Sequence, residues 1–174
     1  MPKLIVINRY FHPDLSATSQ MLSDLAFALA AKGWAIEIVT SRQLYQSPDV
    51  RLPARETIDG VGVRRVWTSR FGRHRLLGRA IDYATFYLSA AWAVLAVARR
   101  GDVVVAKTDP PLLSLVAAPV AALRRAHLVN WLQDVYPEVA EALGVGRGAL
   151  VRRLYGWLRA LRNRTLNSAA INVV

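Results

Sequence analysis

Six short apolar runs of strand length, separated mostly by helix-length segments, constrain this chain more than any other feature. The first, Lys3–Asn8 (KLIVIN), is continuous rather than alternating, as expected for a parallel strand buried on both faces. From about Ala17 to Lys32, Leu22, Leu25, Ala26 and Leu29 recur at i, i+3, i+4 and i+7, which gives a helix one apolar face. Ser16 or Thr18 is placed to cap its start, and Gly33 to end it. Trp34–Ser41 (WAIEIVTS) then predicts strand two. A β-α-β unit of this kind builds a parallel sheet.

The pattern continues. Gln43–Asp59 is polar, contains Pro48 and Pro53, and reads as a long surface loop. Gly60–Trp67 predicts strand three, and an arginine-rich segment, Thr68–Arg79, leads into a helix over about Leu76–Arg99. Asp102–Ala106 predicts strand four, and Pro110 and Pro111 are expected to start a helix that runs to about Arg124. His127–Leu132 is strand five, Gln133–Pro137 a loop, Pro137–Leu143 and about Leu150–Asn167 helices, and Ala169–Val174 strand six. The expected fold class is α/β, a doubly wound, mainly parallel sheet with helices on both faces. The sequence ends inside an apolar strand, so residues 1–174 are expected to be a single domain cut from a longer protein.

Composition narrows the chemistry. There is no cysteine, so disulfides and thiolate metal sites are excluded. His12, His74 and His127 are scattered without metal-ligand spacing. The net charge is +11, carried by 20 Arg against 3 Lys. A GC-rich genome accounts for that ratio but not for the charge, which favours phosphorylated substrates, an anionic membrane or nucleic acid. Nucleic acid is disfavoured, because no recognition helix or aromatic-basic strand motif is present. Tyr83–Ala98 is uncharged over 16 residues, short of the roughly 20 needed to span a bilayer. It is expected to be buried against a sheet or to lie on a membrane.

In an open parallel sheet, ligands bind beyond the C-terminal ends of the strands. Three polar loops are expected there: Arg9–Ser19, Lys107–Pro111 and Gln133–Glu138. The first lacks GxGxxG, which argues against a nicotinamide or flavin site, and no cofactor is expected. Ser16, Ala17 and Thr18 open a helix, where free backbone N–H groups either receive a phosphate or are capped in the ordinary way. His12 is either a phosphate or hydroxyl contact or an exposed loop residue. Asp134 follows a buried strand; it either orients or deprotonates a sugar hydroxyl or satisfies turn N–H groups. Lys107, Asp109, Gln133, Tyr136 and Glu138 complete the candidate substrate contacts. Asp109-Pro110 is otherwise a helix N-cap, and Tyr136-Pro137-Glu138 a turn and helix start. No Ser-His-Asp order, HExxH or Walker motif occurs.

Two further stretches bear on surfaces. Leu150, Leu154, Leu158 and Leu161 form a stripe expected to pack on the sheet, leaving Arg152, Arg153, Arg159, Arg162 and Arg164 largely on the remaining surface. Arg70, Arg73, Arg75 and Arg79 precede or open the apolar helix. They are either a solvated face or a surface facing anionic lipid.

Tyr10–Gln20 (YFHPDLSATSQ), Asp59–Val66 (DGVGVRRV), Thr108–Leu113 (TDPPLL) and Trp131–Val145 (WLQDVYPEVAEALGV) lie in an order that resembles glycosyltransferase family 4, in particular the colanic-acid WcaI-like enzymes of bacterial polysaccharide synthesis. The resemblance implies one half of a GT-B fold, with two Rossmann-like domains flanking a cleft. It implies the N-terminal, acceptor-side half of a retaining enzyme. The donor-binding half, with its Glu-x7-Glu motif, is not in this sequence. It further implies a nucleotide-sugar donor held mainly by that other half, a lipid-linked or saccharide acceptor, and a place in the cytoplasm or peripherally on the inner face of the membrane. Asp134 falls where related enzymes place a residue near the reacting sugar. Ser16-Ala17 stand where the family often has glycine beside the donor phosphates. The alternative is a non-catalytic basic module that binds anionic membrane or nucleic acid.

Overall fold

A computed structural model describes residues 2–47, 49–72, 76–144 and 148–174. Seven strands form one sheet in the order β3-β4-β2-β1-β5-β6-β7. They are β1 (Leu4–Ile7), β2 (Ile36–Ser41), β3 (Arg55–Ile58), β4 (Val61–Val66), β5 (Val103–Ala106), β6 (His127–Trp131) and β7 (Ile171–Val173). All neighbours are parallel except β3 and β4. The helices are α1 (Ala17–Ala31), α2 (Leu76–Val97), α3 (Ser114–Arg124), α4 (Glu138–Ala142) and α5 (Ala149–Ser168). This is the expected doubly wound α/β class.

The continuous apolar run of β1 is explained by its central place. Ile5 and Ile7 enter one core with Val39, Val104, Phe86 and Val94, beneath α2 and α3. Val6 enters the opposite core with Ile38, Val63, Leu22 and Ala26, beneath α1. Each face therefore buries alternate residues of one strand, as the period of two requires.

Four expectations need correction. The loop expected over Gln43–Asp59 contains β3, an antiparallel edge strand. Asp59 (φ 47°) and Gly60 (φ 82°) make the tight turn of a two-residue hairpin into β4. The helix expected to start at Pro110 starts at Ser114, because Leu112 at φ 61° turns the chain out of helical space first. In α1 the buried face is Ser19, Leu22, Ser23 and Ala26, and Leu25 is exposed. In α5 the leucine stripe does not pack on the sheet. Leu150 and Leu154 are exposed, and the helix buries Tyr155 and Thr165 instead, with the Thr165 hydroxyl 3.0 Å from that of Ser114 on α3.

The apolar helix α2 is long enough to cross a bilayer by length and composition alone. Its inner face, however, carries Phe86, Ala90, Ala93 and Val94 into the core, and its outer face is left open.

Arg65 fastens the hairpin to the site loops. Its side chain is fully buried, it pairs with Glu56 of β3, and it donates to the His12 carbonyl at 2.7 Å. Arg64, by contrast, pairs with Glu37 at a partly exposed position. Removing one partner of a buried pair strands the other charge, whereas an exposed pair contributes little. Glu56→Ala is therefore expected to cost about 2–3 kcal/mol in denaturant unfolding and Glu37→Ala less than about 1 kcal/mol. Equal costs would show that the Arg65 guanidinium is not isolated from solvent.

Candidate functional site

Because β1, β2, β4, β5 and β6 run parallel, their C-terminal ends share one edge of the sheet. The chain leaves β1 through Asn8 and Arg9. The Arg9 N–H donates to the Asp109 carbonyl at 2.7 Å, and its carbonyl accepts from the Ser41 N–H and the Thr40 hydroxyl, both at 3.0 Å. One residue thus joins the ends of β1, β2 and β5. Its guanidinium is buried and stacks on Tyr10 (5.4 Å) and Tyr83 (5.0 Å), with Nε left unpartnered.

Asp14 closes the first loop. Its carboxylate accepts from the Ser16 N–H (2.8 Å) and hydroxyl (2.5 Å) and from the Tyr45 N–H. Ser16 occupies the N-cap position of α1, but its hydroxyl turns to Asp14, so no side chain caps that helix. The start of α1, at Ala17 and Thr18, faces Lys107 and Asp109. The Lys107 ammonium donates to the Thr18 carbonyl at 3.2 Å, and the Thr18 hydroxyl is 3.5 Å from the Asp109 carboxylate.

Lys107 is almost wholly buried, its ammonium 3.7 Å from the centre of the Trp131 ring. Burial lowers its pKa to about 8, opposed by Asp109. Burial raises Asp109 to about 6, with Asp14 adding to the rise while Arg9, Thr18 and Lys107 oppose it. Tyr83 and Tyr87 are raised chiefly by burial too, and both feel Asp109. Two cations, one strained carboxylate and an uncapped helix start therefore meet above β1 and β5. The unpartnered buried atoms of Ser19, Thr108 and Gln133 lie on the same edge. Such an arrangement suits an anionic, hydroxyl-rich ligand.

The remaining candidates divide. Asp134 is exposed, makes no hydrogen bond among the described residues, and lines a narrow cleft with Lys107, Thr108, Tyr136 and Arg162. Gln133 reaches Met21 Sδ at 3.0 Å. His12 is exposed, with its ring against Phe27 at 5.7 Å. Glu138 is committed to Arg159 and Arg162, whose hydrogen bonding and charge hold its carboxyl below the usual range. Those two arginines, expected on the remaining surface, instead tie α4 to α5, Arg159 reaching Glu141 as well. Arg70 is exposed and Arg79 half-buried near Tyr83. Arg73 and Arg75 lie outside the described residues.

Sequence reasoning passed over Arg9, Asp14, Tyr83 and Tyr87. The spacing of the two tyrosines, one helical turn apart near the middle of α2, was the available signal. Because Asp109 is raised in the fold, the folded protein holds more protons than the unfolded chain between pH 3.8 and about 6. Its contribution to stability therefore falls as pH rises through that window. Asp109→Asn should lack that fall and gain up to about 3 kcal/mol over the parent at pH 7. Thermal unfolding followed from pH 4 to 7 checks this, and parallel curves for the two proteins would contradict it.

A family model described as "Glycosyl transferase 4-like domain" matches residues 16–174. Among solved structures, sucrose-phosphate synthase from Thermosynechococcus elongatus shares the fold, with a TM-score of 0.67 at 11% identity. That match covers 100% of this chain and 42% of the synthase chain, so this chain spans about two fifths of it. No curated protein sequence matches the chain.

Proposed function

Since the chain belongs to the glycosyl transferase 4-like domain family, we propose that it is the acceptor-side half of a retaining glycosyltransferase. The enzyme moves a sugar from a nucleotide donor to a lipid-linked or saccharide acceptor in bacterial polysaccharide synthesis. The observation that carries this reading is the convergence of the β1, β5 and β6 loops on one sheet edge, where Lys107 and Thr108 of the second and Asp134 and Tyr136 of the third border a narrow cleft and Lys107 and Asp109 also meet the start of α1. A second, donor-binding domain closes over that edge and supplies the nucleotide site.

Each residue then has a definable task. The free N–H groups at the start of α1, with Arg9 and Lys107 behind them, stabilise charge on the departing diphosphate. Lys107, with a pKa near 8, is mostly protonated at neutral pH and serves as a cation there. Asp134, on the rim and without a hydrogen bond among the described residues, orients the acceptor hydroxyl or takes its proton. Ser16 and Ala17 are small enough to let a diphosphate approach the backbone. The open face of α2 and the exposed Arg70 suit work at the inner surface of a membrane.

Residues 1–174 alone are expected to release no nucleoside diphosphate from any nucleotide sugar, because half of the cleft is missing. Turnover by this chain would overturn the two-domain reading. In the two-domain enzyme, Asp134→Asn should lower kcat more than about tenfold with the melting temperature unchanged. Ser16→Trp should block the cleft by bulk. An Asp134→Asn enzyme of normal turnover would remove Asp134 from the chemistry, and a fully active Ser16→Trp enzyme would remove the first loop.

A further inference from the structure

A groove runs between the β3-β4 hairpin and the second half of α2, on the side of the sheet opposite α1. Its volume of about 560 Å³ lies within the range of small-ligand clefts. Arg55, Arg64 and Trp67 line it from the hairpin side, and Leu88 and Trp92 from the helix.

The charge of the groove follows from the register of the hairpin. Alternate residues of β4 face opposite sides of the sheet. Val61 and Val63 enter the core beneath α1, and Val66 packs against the core beneath α2. Arg64 shares the face of Val66. Arg65 takes the other face, where Glu56 and the His12 carbonyl occupy its guanidinium. Arg55 is the cross-strand partner of Arg64, so the two side chains leave the same face as neighbours. Like charges in that position repel. Glu37 reaches Arg64 at 3.2 Å, but the side chain of exposed Arg55 makes no ion pair or hydrogen bond among the described residues. Two adjacent guanidinium groups are thus served by one carboxylate, which leaves one cation for a ligand.

The aromatic residues specify what carries the matching anion. Trp67 and Trp92, one from each side of the groove, are 65% and 76% exposed. Pyranose rings offer apolar C–H faces that pack on an indole, and a uronate adds a carboxylate of the shape that arginine binds with two hydrogen bonds. A lipid chain would instead lay its methylenes against Arg55 and Arg64. A nucleic acid brings one phosphate per nucleotide and needs a cation for each, whereas one is spare here.

We propose that this groove binds a stretch of acidic, uronate-bearing saccharide. The inference rests on the saccharide chemistry proposed above and adds a second site with its own ligand class. Four strand spacings, roughly 19 Å, separate β4 from β6, the strand that leads to Asp134. The groove therefore holds sugars several residues away from the one that reacts.

Calorimetric titration of the purified protein with tetragalacturonate, and with cellotetraose as a neutral chain of the same length, tests this. Tetragalacturonate should bind saturably and at least about tenfold tighter. Arg55→Gln should bring it down to the affinity of cellotetraose without altering the latter. Arg64 is left in place because it pairs with Glu37. Arg100→Gln, an equal loss of charge at another exposed position, should change little. Trp67→Ser with Trp92→Ser should weaken tetragalacturonate at least about tenfold, with the melting temperature unchanged because both indoles are exposed. Equal affinity for the two chains in the parent would overturn the uronate. Equal weakening by Arg55→Gln and Arg100→Gln would reduce the effect to net charge and overturn the site. Binding of tetrathymidylate or phosphatidylglycerol vesicles that is lost in Arg55→Gln, with no binding of tetragalacturonate, would give the groove to another partner and overturn the proposal. If tetragalacturonate binds as expected while the two-domain enzyme transfers no sugar, the transfer reading fails and the groove stands. If sugar is transferred and the two chains bind alike, the groove fails alone.

Discussion

The rest of the structure depends on the burial of β1 at the centre of a parallel sheet. Ile5, Val6 and Ile7 are almost completely removed from water, and β2 and β5 take up the backbone hydrogen bonds on either side. Once that strand is fixed, parallel neighbours place the start of every following loop on one edge. The polarity of Arg9–Ser19, Lys107–Pro111 and Gln133–Glu138 is then no accident of surface composition. Those loops emerge where the sheet ends and where no helix covers the backbone.

That edge is divided by charge. Over β1 and β5, burial works against the charged forms of Lys107 and Asp109; each is steadied by the other, and Asp109 by Arg9 as well. Over β2 and β4, Arg42, Arg51 and Arg70 line a second cleft, with no carboxylate among its described residues. The first region is internally compensated and therefore well placed to be fixed before a ligand arrives. The second is more strongly cationic among its described residues.

Much of this was legible in the sequence, for physical reasons. The strands buried on both faces advertise themselves as continuous apolar runs, so β1, β5 and β6 were readable within a residue or so. β3 was not, because Arg55–Ile58 holds a single apolar residue and becomes a strand only by pairing with β4. The Asp59-Gly60 turn was the signal that the run of polar residues hid a hairpin. The leucine stripe of α5 misled because periodicity identifies an apolar face without saying whether a partner covers it. Here the helix buries Tyr155 and Thr165, the latter against Ser114 of α3, rather than Leu150 and Leu154. The place of the candidate site on the sheet edge follows from topology. The pairing of Asp14 with Tyr45, and of Arg9 with Asp109, joins residues far apart in sequence, which no local pattern records.

Asp14 links the two regions mechanically. One carboxylate holds the turn before α1 through Ser16 and the segment after β2 through Tyr45. A charged acceptor bond of this kind is worth about 1.5–3 kcal/mol, so neither loop shifts alone without losing one. The loop after β1 and the loop that borders the arginine cleft are consequently held in one fixed relation, like two leaves of a single hinge plate.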